Sequence, residues 1–157
     1  MILDKFGEFC DAVACNTGAA GTYLLGSQID IGAVRDVGNG EELYLVISVD
    51  TGIKLGSSTG TISFSLASDD SASISTSTST IHFTTPAYAT STTTDASTLA
   101  AGTVLAVVAL PWEGNAYERY LGILQNTGTT AISAGKINAF LTKTPAKWKA
   151  YDSPSQA

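Results

Sequence analysis

Charge is scarce in this chain. Asp, Glu, Lys and Arg together make up 14% of its 157 residues, against roughly 25% in an average soluble domain. Bases are the scarcer sign, 8 against 14 acids, for a formal net charge of −6. A general nucleic-acid binder needs a basic footprint to displace phosphate counterions, so nucleic acid is not an expected partner. One histidine and two cysteines offer no ligand spacing for zinc, and neither a metal nor another cofactor is expected. Long hydrophobic runs are missing as well. The most apolar stretch, Leu99 to Leu110, is 12 residues, too short to cross a bilayer, so no membrane partner is expected. The opening Met-Ile-Leu-Asp-Lys-Phe-Gly-Glu carries charge where a secretion signal needs an apolar core, and the expectation is synthesis in a cytosol. Cys10 and Cys15 fall on opposite faces of a regular strand, which points to two reduced thiols rather than a bridge.

What replaces charge is small and polar. The chain holds 17 Ser, 21 Thr and 15 Gly beside an ordinary hydrophobic share of 44%. β-branched Thr favours strands and Gly breaks helices, and period-two alternation dominates the pattern. Leu43 to Val49 sets Leu43, Leu45, Ile47 and Val49 on one face, with Tyr44, Val46 and Ser48 on the other. Thr61 to Leu66 opposes Ile62, Phe64 and Leu66 to Ser63 and Ser65. Val104 to Leu110 is apolar on both faces, as a central strand covered on each side should be. Tyr117 to Gln125 alternates, Ile137 to Leu141 closes a last strand, and shorter candidates lie at Phe9–Ala14, Tyr23–Ile31 and Thr80–Thr84. Helix signals are weak. The pattern predicts an all-β antiparallel fold of about eight strands with little helix: a β-sandwich, a jelly roll or another Greek-key arrangement. It forms one domain over residues 1–143, followed by a basic, aromatic C-terminal tail at 144–157. The Ser/Thr-rich segment from Ser68 to Ser97 reads either as a flexible linker or, better, as two exposed loops or edge strands around a short buried strand anchored by Ile81 and Phe83.

Catalytic constellations are missing. His82, alone of its kind, falls on the outward face of its strand, and no Gly-x-Ser-x-Gly elbow accompanies it. Asp69-Asp70 is better explained by a solvated loop than by calcium. The chain is not expected to be an enzyme. Binding is the better prospect, because Trp112, Tyr117 and Tyr120 gather with Arg119 within ten residues, and these types are enriched in binding hot spots. Core packing is the competing account of the same aromatics. Lys147, Trp148, Lys149 and Tyr151 form a second candidate, a cationic and aromatic stretch suited to an acidic partner; a tail without a partner explains it as well. From residue 136 onward the chain is +3, and the rest is −9.

The segments Met1-Ile2-Leu3-Asp4-Lys5, Gly40-Glu41-Glu42-Leu43-Tyr44-Leu45-Val46, Leu110-Pro111 through Arg119-Tyr120-Leu121, and Ala134-Gly135-Lys136 leading to Ala139-Phe140-Leu141 stand in an informative order. Together they resemble the capsid cement (decoration) proteins of short-tailed bacteriophages, small jelly-roll proteins on the outside of the head. Residues 71–98 and the tail after Lys143 depart from that pattern. The resemblance implies a non-enzymatic structural protein of the virion exterior, made in the host bacterial cytoplasm. It implies binding to the major capsid protein as a homo-oligomer, usually a homodimer, that staples neighbouring capsomers. The alternative from another class is a carbohydrate-binding or host-adhesion β-sandwich on the virion surface, with Trp112 or Trp148 as the sugar platform.

Overall fold

A computed structural model describes residues 5–34, 42–55, 60–90 and 99–145. Among the described residues, a 3-10 turn at Lys5–Gly7 is followed by nine strands. In order they are β1 (Glu8–Ala14), β2 (Gly21–Asp30), β3 (Tyr44–Leu55), β4 (Gly60–Asp69), β5 (Thr80–Thr84), β6 (Tyr88–Thr90), β7 (Val104–Ala109), β8 (Tyr120–Gly128) and β9 (Ile132–Thr142). Two antiparallel sheets result, one ordered β1-β9-β3-β7 and the other β2-β8-β4-β5, with β6 beside β4. The pairs β1·β9, β2·β8, β3·β7 and β4·β5 are those of one long hairpin doubled over on itself. That wrapping is a jelly roll, one of the arrangements the alternation allows.

The core lies between the sheets. Leu45, Ile47, Val49, Ile137 and Ala139 from the first sheet meet Leu25, Ile62, Phe64, Leu66, Leu121 and Ile123 from the second, all buried in one cluster. Each such side chain contributes roughly 1.5–3 kcal/mol by leaving water. The Ser and Thr residues that alternate with them face outward and bond to one another. On the outer face of the second sheet Thr22 donates to Asn126 (3.1 Å), Asn126 donates to Ser65 (2.8 Å), and Ser65 meets Thr84 (2.9 Å). This ladder runs from β2 through β8 and β4 to β5, so hydrogen bonds between neutral groups do the work that ion pairs do elsewhere. Beside it, Ile74 folds over Ala67 and Leu124, with Leu24 and Tyr120 packed alongside, in a small separate cluster.

Several expectations need correction. Val104–Ala109 is an edge strand, paired with β3 alone, and its Val107 is 48% exposed. Central strands are the ones buried on both faces, as in β8, between β2 and β4, where Leu121 through Gln125 are all buried. Its start is Tyr120 rather than Tyr117. Cys10 and Cys15 are free thiols as expected, yet both lie in the same core cluster rather than on opposite faces. Between them the register of β1 against β9 shifts, and Ala12 takes φ 48°, its N–H donating to Asn138 Oδ1 at 2.6 Å. The bulge rotates the following residues and cancels the odd spacing. Burial pushes both thiols up to about 12. In β5 the alternation breaks: Phe83 packs on the core as expected, but Ile81 is exposed and His82 is half-buried. A register shift between Leu66 and Ala67 on the facing strand turns that residue inward.

Two glycines are dictated by close approach. A Cβ on Gly26, whose φ is +65°, would stand 2.0 Å from the carbonyl oxygen of Phe9. One on Gly135, at φ +145°, would stand 2.9 Å from the Cα of Ile53. The first lets β2 pass against β1; the second lets β9 cross β3 where their register slips. At the far end from the start of β1, the turn after that strand is fastened to β8 by Gln125, which is fully buried. Its side-chain amide donates to Asn16 O (2.9 Å) and Thr127 Oγ1 (2.7 Å), and its oxygen accepts from Asn16 N (2.8 Å).

Candidate functional site

Strand direction decides what meets at each end of the sandwich. Because neighbours are antiparallel, the start of β1, the β2–β3, β4–β5 and β7–β8 connections and the end of β9 share one end. That end collects the candidate binding residues the structure describes, along with exposed apolar side chains. Trp112, in the β7–β8 connection, is 65% exposed. Phe6, just before β1, is 88% exposed, and Val34, after β2, is exposed as well. Neither Phe6 nor Val34 stands out in the sequence, since nothing local marks a lone apolar residue in a loop as unburied.

Arg119 is held where it can be used. Its Nε and Nη2 donate to the two carboxylate oxygens of Asp30 at 3.0 and 2.9 Å, a planar two-point pairing that suits guanidinium better than ammonium. The guanidinium also lies 5.1 Å from the centroid of Tyr120, within cation–π range. The side-chain hydrogen bond from Arg119 lowers the Asp30 carboxyl below its ordinary value and raises the guanidinium in turn. Since both groups are solvent-exposed, the pair orients the β7–β8 connection against β2 and adds little stability. Asp30 is the partner that sequence reading missed: 89 residues separate it from Arg119, and no local pattern encodes that pairing.

Tyr117 leaves the proposed cluster. It is 1% exposed, its hydroxyl donates to Pro111 O at 2.8 Å, and its ring stacks on His82 with centroids 3.9 Å apart. Of the two accounts given by the sequence, core packing is the correct one here, and burial pushes the phenol up to about 12. His82 Nε2 lies 2.7 Å from Ser68 Oγ, which also accepts the Glu118 N–H at 3.2 Å. Desolvation by burial lowers the His82 pKa below its ordinary value. The pair is no nucleophile and base: Ser68 is fully buried, so no substrate carbonyl reaches its oxygen. It props up the connection that carries Trp112.

Asp69 has a structural duty too. Its two carboxylate oxygens accept the backbone N–H groups of Ser71 (2.9 Å) and Ser75 (2.8 Å), lowering its pKa and shaping the β4–β5 loop. Among the described residues no group of three or more His, Cys, Asp or Glu is placed to hold a metal ion. In the same residues no helix is long and apolar enough to cross a membrane. Lys147, Trp148, Lys149 and Tyr151 lie outside the described residues. Among the described residues the charged groups at this end are mostly acidic, with Glu8, Asp30, Glu42, Asp69, Asp70, Glu113 and Glu118 against Lys5, Arg119 and Lys143. The arrangement is suited to docking on another macromolecule. A family model described as Bbp16 matches residues 9–141 of the chain. No curated protein matches it.

Proposed function

The chain belongs to the Bbp16 family of bacteriophage proteins, and from that membership we propose that it is a capsid cement protein. In this reading it binds the exterior of the phage head as a homo-oligomer, without enzymatic activity, and staples neighbouring major capsid proteins. The observation that carries the reading is the concentration of Trp112, Phe6 and Val34 as exposed apolar side chains at one end of a rigid sandwich. Exposed apolar groups gathered beside polar ones mark interaction surfaces, and the Arg119–Asp30 pair fixes the connection that carries Trp112. Modest contacts suffice for a protein that engages a repeated surface at two linked points, because linkage raises effective affinity by roughly 10²–10⁴. A mainly apolar and neutral contact also keeps its strength in salt, which screens exposed charges.

The test is co-sedimentation of the purified protein with heads of its own phage. Wild-type protein pellets with expanded heads and stays bound when salt is raised, whereas Trp112→Ala pellets poorly while melting like wild type. Failure of the wild-type protein to pellet with heads overturns the reading. The exposure of Trp112 also favours a second one, sugar stacking by a surface adhesin; glycan-array binding in place of head binding would support it.

A further inference from the structure

We propose that β7 is the strand through which two copies of this chain pair, edge to edge and antiparallel, about a two-fold axis at Val108. This rests on the homo-oligomer of the proposed function and names its surface. Sheet edges expose unpaired N–H and C=O groups, and soluble proteins blunt them with charge, bulges, proline or brevity. Three of the four edges here are blunted. β1 carries Glu8, Asp11 and the Ala12 bulge; β2 carries the positive-φ Gly26 and Asp30; β5 has five residues, with Pro86 soon after. β7 reads Val-Leu-Ala-Val-Val-Ala, six residues without charge, bulky polarity or proline.

Its open groups can be assigned. Leu110 N donates to Leu43 O, so in the regular ladder with β3 the polar groups of Val108 and Ala106 also point inward to that strand. Those of Leu105, Val107 and Ala109 therefore point away from it. The Tyr88 hydroxyl, 3.0 Å from Leu105 O, confirms the direction and occupies that carbonyl. Val107 and Ala109 remain, both exposed, and among the described residues neither has a backbone partner on that side.

The edge is complementary to itself. About an axis at Val108, Val107 faces the partner's Ala109, and each such pair exchanges two N–H···O=C bonds, so the two pairs form four. The next position sets Leu105 against the partner's Pro111. Proline has no N–H to offer, and the Leu105 oxygen opposite already accepts from Tyr88. The missing donor thus meets the satisfied acceptor, which limits the ladder to one register. On the outer face Val107 is exposed while its cross-strand neighbours Val46 and Phe140 are already buried, so pairing covers the one apolar side chain of that row still open to solvent.

Light scattering on the purified chain, without heads, tests this through two variants. Val107→Pro removes an N–H that no bond of its own sheet uses, so an edge strand tolerates it; Val107→Lys keeps the N–H and sets a charge at the seam. Wild type should run at twice 16.1 kDa, and both variants at half that mass with an unchanged circular dichroism spectrum. If Val107→Pro misfolds, Val107→Lys decides alone. A wild-type chain that stays monomeric at the highest concentration run overturns the proposal, as does a dimer that persists in the lysine variant. Head binding is scored separately. A monomer that pellets with heads refutes the pairing and spares the cement reading, and a β7 dimer that ignores heads does the reverse.

Discussion

Tyr117 and Trp112 lie five residues apart in one connection, and substitution by alanine should separate them cleanly. Tyr117 is 1% exposed, stacked on His82 and bonded through its hydroxyl to Pro111 O. Truncating a buried aromatic ring costs about 3–5 kcal/mol, part of it in the cavity left behind. The lost stack on His82 is included in that sum at about 0.5–1.5 kcal/mol. For a domain of this size each kcal/mol moves the melting midpoint by about 2–4 °C, so Tyr117→Ala should melt about 6–20 °C below wild type. Tyr117→Phe keeps the ring and loses one hydrogen bond, a change of about 1 kcal/mol. Calorimetry, with urea unfolding as a check on the slope, measures both. The pH is held above the histidine's ordinary range so that His82 stays neutral. If Tyr117→Ala melts within a few degrees of wild type and loses head binding instead, the ring is a surface anchor and the packing argument fails.

The lowered pKa of His82 has a definite sign. The unfolded chain takes up the proton first as pH falls through about 6.5, so stability declines from there down to the lower native value. Urea midpoints taken across that interval should fall for wild type and stay nearly flat for His82→Gln. Gly26→Ala combines a left-handed φ with a methyl 2.0 Å from Phe9 O. The φ alone costs about 1–2 kcal/mol, and the clash adds to it; an unaltered melting curve would contradict the close passage of β1 and β2. Gln125→Leu strands the groups its amide satisfies at Asn16 and Thr127, at a cost of about 3 kcal/mol for three hydrogen bonds. Amide exchange at Asn16 should speed up in the same variant.

Which faces are buried was legible wherever the backbone stays regular. In β3 and β4 the alternation read from sequence is the alternation observed, because successive side chains of a strand must point opposite ways. It failed at register shifts. His82 and the two cysteines were placed on the wrong faces because a bulge inserts a residue that periodicity does not register, and what induces it, such as Asn138 beneath Ala12, is remote in sequence. The binding candidates divide along the same line. Trp112 and Arg119 were found by residue type, whereas Asp30, Phe6 and Val34 enter only because the chain returns to one end of the sandwich.

Composition and period two therefore determined the class of this protein: antiparallel strands rather than helices, a neutral Ser/Thr exterior and an apolar interior. Tertiary structure alone decided rank within the sheets. Val104–Ala109 and Leu121–Gln125 differ little in apolar pattern, yet one became an edge and the other a centre. The reason is physical: a strand's own residues set its two faces, but its two edges are satisfied by whichever strands the folded chain brings beside them.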